Sequence, residues 1–202
     1  LHDGQAVAER RDRLRVRITA HEVEAADDLG PVVHRLHQQP ELSLQETATA
    51  KLIAGELASA GADDVMTQVG GTGVVGVFDS GRPGPVVVLR CELDALPIAE
   101  PEDIDLAYRS RAAGVSHKCG HDGHMSVLCG VARVLGGQRP AQGRVALLFQ
   151  PAEETGEGAP AVMADPRFEA LAPAYVFGLH NLPRQPMHSI CVRNGTFASA
   201  SE

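Results

Sequence analysis

The sequence predicts an α/β protein built on a mixed sheet flanked by helices on both faces. Three observations carry that prediction. Apolar runs of strand length lie at 74–78, 86–89, 145–149 and 174–179, the first two rich in β-branched residues. Segments with a helical apolar period lie at 43–57 and 122–135. Helices and strands alternate along the chain, the order that covers both faces of a sheet.

Taken in order, residues 3–26 are charged and read as a helix, and a short helical stretch follows at 31–37. Ser43 and Glu46 have the spacing of a capping box. The helix they would start carries Leu44, Ala48, Leu52, Ile53 and Leu57 on one face and stops at Gly61. The segment 79–85 is short and rich in Gly and Pro, so the strands at 74–78 and 86–89 are expected to form an antiparallel hairpin. In the helix at 122–135 the expected inner face is Val127, Leu128, Val131, Val134 and Leu135, with Gly136 and Gly137 ending it. The strand at 174–179 is expected to be buried. There is no repeat and no low-complexity segment.

Composition narrows the function classes. The 202 residues are 44% hydrophobic and 22% charged, as in ordinary soluble domains, and suffice for one domain with a sizeable core. A formal charge of −8 argues against nucleic-acid and anionic-membrane partners, which select basic surfaces. The first 19 residues lack the apolar centre of a signal peptide, and no apolar run has the length of a membrane span. Four scattered cysteines make no disulfide framework, so a reduced, cytoplasmic setting is expected. Cys91, Cys129 and Cys191 read as small buried residues. The run Gly71-Thr72-Gly73-Val74-Val75-Gly76 fits the dinucleotide fingerprint G-x-G-x-x-G but opens a strand instead of a helix. Its glycines are better explained by a turn and close strand packing.

The chemistry collects where strands end. Glu92 and Asp94 follow the strand at 86–89, Glu153 and Glu154 follow 145–149, and His180 follows 174–179. Sites in open α/β sheets form at the carboxyl ends of strands, so parallel strands would bring these groups together. Cys119-Gly120-His121-Asp122-Gly123-His124 stands just before a helix and adds thiol and imidazole. Thiolate, imidazole and carboxylate are ligands of zinc and similar divalent ions. Each group alone has an ordinary structural explanation: a solvated Glu pair, a hydrogen-bonded His, an Asp capping the turn before Pro97. Their shared placement at strand exits is what favours a metal site.

Five stretches resemble the motifs of the bacterial and plant N-acyl-amino-acid amidohydrolases, a family that includes hippurate hydrolases and indole-acetyl-amino-acid hydrolases and is related to aminoacylases and carboxypeptidase G-type metallopeptidases. They are residues 34–43 (His-Arg-Leu-His-Gln-Gln-Pro-Glu-Leu-Ser), 90–98 (Arg-Cys-Glu-Leu-Asp-Ala-Leu-Pro-Ile), 119–124, 149–154 (Phe-Gln-Pro-Ala-Glu-Glu) and 178–183 (Gly-Leu-His-Asn-Leu-Pro), in the family's order.

The resemblance implies a zinc-peptidase-like catalytic domain holding two divalent metal ions, with Mn, Zn, Co and Ni left open. It implies that Cys119 bridges the metals and that His121, Glu154 and His180 are terminal ligands. Glu153 is implied as general base and Asp94 as the carboxylate orienting a ligand histidine. The implied reaction is hydrolysis of the amide of an N-acyl amino acid by metal-activated water, Glu153 taking the proton and passing it to the leaving amine. The partner is a small-molecule substrate, and a full-length parent is expected to be a homodimer or homo-oligomer.

The sequence departs from the family at Glu92, usually Asp, at Cys91, often Ala, and at Lys118, often small and apolar. Residues 1–202 are expected to be the N-terminal part of the catalytic domain, with the lid or dimerisation domain and a further ligand histidine beyond them. On that expectation this chain alone is weakly active or inactive. The alternatives are a non-catalytic member that binds metal or a partner, and a dipeptidase of the same clan. Cys119 at the bridging position, commonly Asp in those peptidases, speaks against the dipeptidase.

Overall fold

The computed structural model describes residues 29–103, 105–186 and 189–191. The helix expected at 3–26 lies outside them. Helix α1 (Gly30–Gln38) starts with a proline in its first turn, where the missing amide costs nothing. It buries Val32 and Leu36, one turn apart on one face. Helix α2 (Thr47–Ser59) buries Thr49, Ile53 and Leu57, a stripe of period four. Each such aliphatic side chain contributes about 1.5–3 kcal/mol by leaving water. The chain leaves α2 through Gly61, whose φ of +80° suits a residue without Cβ.

Strands β1 (Asp64–Val69), β2 (Gly73–Asp79), β3 (Val86–Glu92), β4 (Arg144–Gln150) and β5 (Tyr175–Gly178) form one sheet in the order β1-β2-β4-β3-β5. Helix α3 (His121–Gly137) crosses between β3 and β4, and the short helices α4 (Gly158–Met163) and α5 (Pro166–Glu169) precede β5. Strand β3 runs parallel to both β4 and β5, while β2 is antiparallel to β1 and β4. The sheet is therefore mixed. One apolar cluster joins it to α1, α2 and α3 through Leu36, Ile53, Leu57, Leu128 and Phe149. A second, on the opposite face, joins it to α4, α5 and the residues after them through Val75, Val88, Val162, Phe168 and Leu171. Helices cover both faces, as the alternation of elements predicts.

Several local expectations give way. Strands β2 and β3 are not a hairpin, because β4 inserts between them and pairs with both. The hairpin is β1–β2, and β1 escaped notice because its sequence, Asp-Val-Met-Thr-Gln-Val, is half polar and half exposed. The turn between them is Gly70-Gly71-Thr72, so the glycine-rich run does serve a turn and close packing. A Cβ on Gly76 would stand 2.8 Å from a methyl of Leu57.

Ser43 and Glu46 do not form a capping box. The carboxylate of Glu41 accepts from the first amides of α2, Ala48 N at 3.1 Å and Thr49 N at 2.7 Å. Leu44 has φ +66° and is exposed, and Ala48 is exposed too. On α3 the buried stripe is Met125, Leu128, Cys129 and Ala132, and Val127 faces out. Strand β5 is not buried: Tyr175, Val176 and Phe177 are all more than half exposed at the edge of the sheet. Cys91 and Cys129 are buried as expected, but Cys191 is exposed.

Candidate metal centre

Because β3, β4 and β5 are parallel, their carboxyl ends at Glu92, Gln150 and Gly178 lie on one edge of the sheet. The N-terminus of α3 arrives at the same edge. Gly120 caps it with φ +97°, and a Cβ there would press within 2.9 Å of Asn181 Oδ1. This glycine lets Cys119 and His121 approach the segment that carries His180.

The donor atoms face one another. Cys119 Sγ lies 3.3 Å from His180 Nε2. His121 Nε2 lies 3.7 Å from Glu153 Oε2 and 3.8 Å from Glu154 Oε1. Ligand atoms of Cys119, His121 and His180 fall within 4.8 Å of one another, and so do those of His121, Glu153 and Glu154. His121 belongs to both groups and links them.

Both imidazoles are set by their other nitrogen. His121 Nδ1 faces the backbone oxygen of Asp94 at 2.8 Å, and His180 Nδ1 faces the backbone oxygen of Asn181 at 2.8 Å. A carbonyl only accepts, so each Nδ1 carries the proton and each Nε2 presents a lone pair. This is the tautomer of a metal-ligating histidine. His121 Nε2 and Glu154 Oε1 are buried and have no hydrogen-bond partner among the described residues. Buried polar atoms are rarely left so, and a cation is a partner both could share. The residues present therefore fit a divalent metal.

The electrostatics agree. Burial, then the carboxylates of Glu154 and Glu153, push the Cys119 thiol up to about 12. Burial also raises Glu154. Burial by itself would lower His121, but the hydrogen bond to Asp94 and the charge of Glu92 outweigh it and raise the ring. Negative charge is thus in excess at this edge, the condition that favours cation binding.

Of the six residues expected from sequence, Cys119, His121, Glu153, Glu154 and His180 supply those atoms, and Asp94 stands behind them. Asp94 reaches His121 with its carbonyl at 2.8 Å, while its carboxylate Oδ1 is 3.6 Å away. Its Oδ2 accepts instead from Ser43 Oγ at 2.7 Å and Glu154 N at 2.9 Å. The His121 ring, then the Glu154 amide and the Ser43 hydroxyl, hold Asp94 down at about 2, against the burial that would raise it. Adjacent glutamates on a strand would point to opposite faces. Here both approach His121, because they sit on a turn entered through Ala152 at φ +46°.

The sequence places Glu92 at a strand end and His124 in the run after Cys119, but assigns neither a role. His124 Nδ1 meets Glu92 Oε2 at 2.9 Å, and its Nε2 meets Asn181 Oδ1 at 2.7 Å. Glu92 also pairs with Arg90. Burial would raise Glu92, but His124 and Arg90 hold it below the usual carboxylate range. Glu92, His121 and His124 form a third group of mutually close ligand atoms, all buried. The helical i, i+3 spacing of His121 and His124 was the available signal. Beside this edge an open cavity of about 600 Å³ is lined by His37, Tyr108, His117, Asp122, His124 and His180, among others.

Thiol, imidazole and carboxylate donors at the carboxyl edge of a mixed α/β sheet define an α/β protein with a candidate metal centre. Comparison with known proteins places it more closely. The profile of peptidase family M20/M25/M40 matches residues 88–193, just over half the chain, and the chain belongs to that family. It is similar to a hippurate hydrolase of Campylobacter jejuni, at 40% identity over 84% of this chain and 43% of that protein. It is similar to the IAA-amino acid hydrolase ILR1-like 2 of Arabidopsis thaliana, at 37% identity over 88% of this chain and 39% of that protein. Among solved structures, the Bacillus subtilis YXEP protein, described as a dinuclear metal-binding peptidase of the M20 family, aligns with TM-score 0.77 and 34% identity. That alignment covers 86% of this chain and 48% of the other. The chain thus spans less than half the length of these relatives.

Proposed function

We propose that this chain is the metal-binding part of an amidohydrolase that cleaves N-acyl amino acids. The carrying observation is the convergence of Cys119, His121, Glu153, Glu154 and His180, with His121 Nε2 and a Glu154 oxygen both unpartnered among the described residues. The names of the two curated relatives each denote an acyl group joined to an amino acid, which supports that substrate class.

In this reading Cys119, His121, Glu154 and His180 would hold two divalent ions. The donor mixture suits Mn, Zn, Co or Ni. The ions supply Lewis acidity, making water nucleophilic near neutral pH and polarising the scissile carbonyl. Glu153, the more exposed of the two glutamates, receives the proton of the attacking water and delivers it to the leaving nitrogen. Asp94 positions, through its carbonyl, the ring of His121 and, through its carboxylate, the amide of Glu154. Residues 1–202 are the N-terminal portion of the catalytic domain, and a lid or dimerisation domain belongs to a longer protein. A cytoplasmic setting completes this reading; among the described residues no helix is long and apolar enough to cross a membrane.

A second reading is metal binding without turnover. Elemental analysis of the purified chain beside Cys119→Ala, with a hippurate-hydrolysis assay, tests both readings. One or two divalent ions per chain, lost in the variant, support the site. No metal in the folded chain refutes it. Metal without hydrolysis selects the second reading.

A further inference from the structure

Glu46 carries a fully buried carboxylate at the start of α2. Its Oε2 accepts from the Thr72 hydroxyl at 2.7 Å, in the β1–β2 turn. Its Oε1 accepts from the backbone amide of Ala152 at 2.8 Å, immediately before Glu153 and Glu154. Helix capping does not explain it, because Glu41 takes the amides of Ala48 and Thr49, and Glu46 makes no cap hydrogen bond. Burying a carboxylate is costly unless it is well partnered. This one spends both oxygens tying together three segments distant in sequence.

The segment it holds is the turn that presents two donor groups. Ala152 has φ +46°, sparsely populated for a residue with a Cβ, so something must hold it there. The amide of Ala152 goes to Glu46, and its carbonyl accepts from Gly158 N at 3.0 Å. The amide of Glu154 goes to Asp94, itself held by Ser43. Thus Ser43 and Glu46 pin the turn at two successive points, one through Asp94 and the other directly.

We propose that Glu46 is a positioning residue for the candidate metal centre, setting the backbone of Ala152 so that Glu153 and Glu154 both face His121. This rests on the functional reading above, in which those glutamates belong to the site. A carboxylate only accepts hydrogen bonds and here meets two donors. Glutamine can keep both contacts, because the Thr72 hydroxyl can turn and accept from the new amide. Aspartate retains the charge but is one methylene short and cannot span Thr72 and Ala152.

The test compares the 202-residue chain with Glu46→Ala, Glu46→Asp and Glu46→Gln. Amide hydrogen exchange over residues 150–158 is measured without metal, with the 144–149 strand as internal control, and Co²⁺ affinity is measured by titration. Loss of a hydrogen bond to a charged group predicts about tenfold faster exchange at 150–158 and about tenfold weaker Co²⁺ binding for Ala and Asp. Glu46→Gln should stay within about threefold of the parent in both. If Ala does not fold, the order Gln before Asp decides. Parent-like exchange at 150–158 in Asp, or Gln as damaging as Asp, overturns the proposal. Should the parent take up no Co²⁺, the metal reading fails, while the exchange measurement still decides whether Glu46 holds the turn.

Discussion

Asp94 shows how one side chain can link stability, pH and the site. Its carboxyl is held at about 2, against an ordinary 3.8, so the native state prefers it ionised. That preference stabilises the fold above pH ~4 and is lost as pH falls from about 4 to about 2. The contribution is on the order of 2 kcal/mol. His117 acts in a separate window. Burial pushes its ring down to about 4, below the ordinary 6.5, so the unfolded chain binds its proton first as pH falls. Its contribution is complete above pH 6.5 and is lost between about 6.5 and 4. Urea midpoints of the chelator-treated chain should therefore drop in two stages. Asp94→Asn should shrink the lower one, which Glu92 and Glu100, also held down, share. An unchanged slope below pH 4 would contradict the assignment. Within the proposed reaction, Glu153→Ala in a longer, active protein should abolish turnover and leave metal bound. Loss of metal instead would exchange the roles of Glu153 and Glu154.

At the scale of elements, the turn after β4 is shaped by contacts no local pattern reveals. Gly158 opens α4 beneath this turn, and a Cβ there would overlap the Pro151 carbonyl oxygen. The obstacle is backbone, which cannot swing aside like a long side chain. Gly158→Ala should cost about 2 kcal/mol and lower the thermal midpoint by about 5 °C. A midpoint within 1 °C of the parent, on the order of measurement error beside that shift, would show that the turn yields. The same logic explains the failed capping box. Ser43 and Glu46 have the right spacing, yet Asp94 and Ala152 offer their side chains buried partners, while Glu41 caps α2 from outside that spacing.

Across the whole molecule, the sheet has a protected interior and an open edge. Val88 of β3 is buried between β4 and β5, whereas Val176 of β5 is 56% exposed. Val176→Lys should change stability by no more than about 0.5 kcal/mol and reduce self-association, since charge on an edge strand opposes further pairing. Val88→Lys should prevent folding, because it buries an unpaired charge. Chemical denaturation and light scattering of the two variants separate these outcomes.

The sequence alone determined the covered mixed sheet and its main strands and helices, though not β1, α4 or α5, and it singled out six residues for the site. Strand runs such as Val86–Glu92 and helix stripes such as Ile53 and Leu57 express local periods that burial enforces. Tertiary structure alone decided that β4 separates β2 from β3, that β5 is an exposed edge, and which partners Glu92, His124 and Glu46 take. Strand order and hydrogen-bond partners depend on which distant segments meet. Glu46 and Ala152 are held together by a contact between residues 106 apart in sequence, and no local period encodes that.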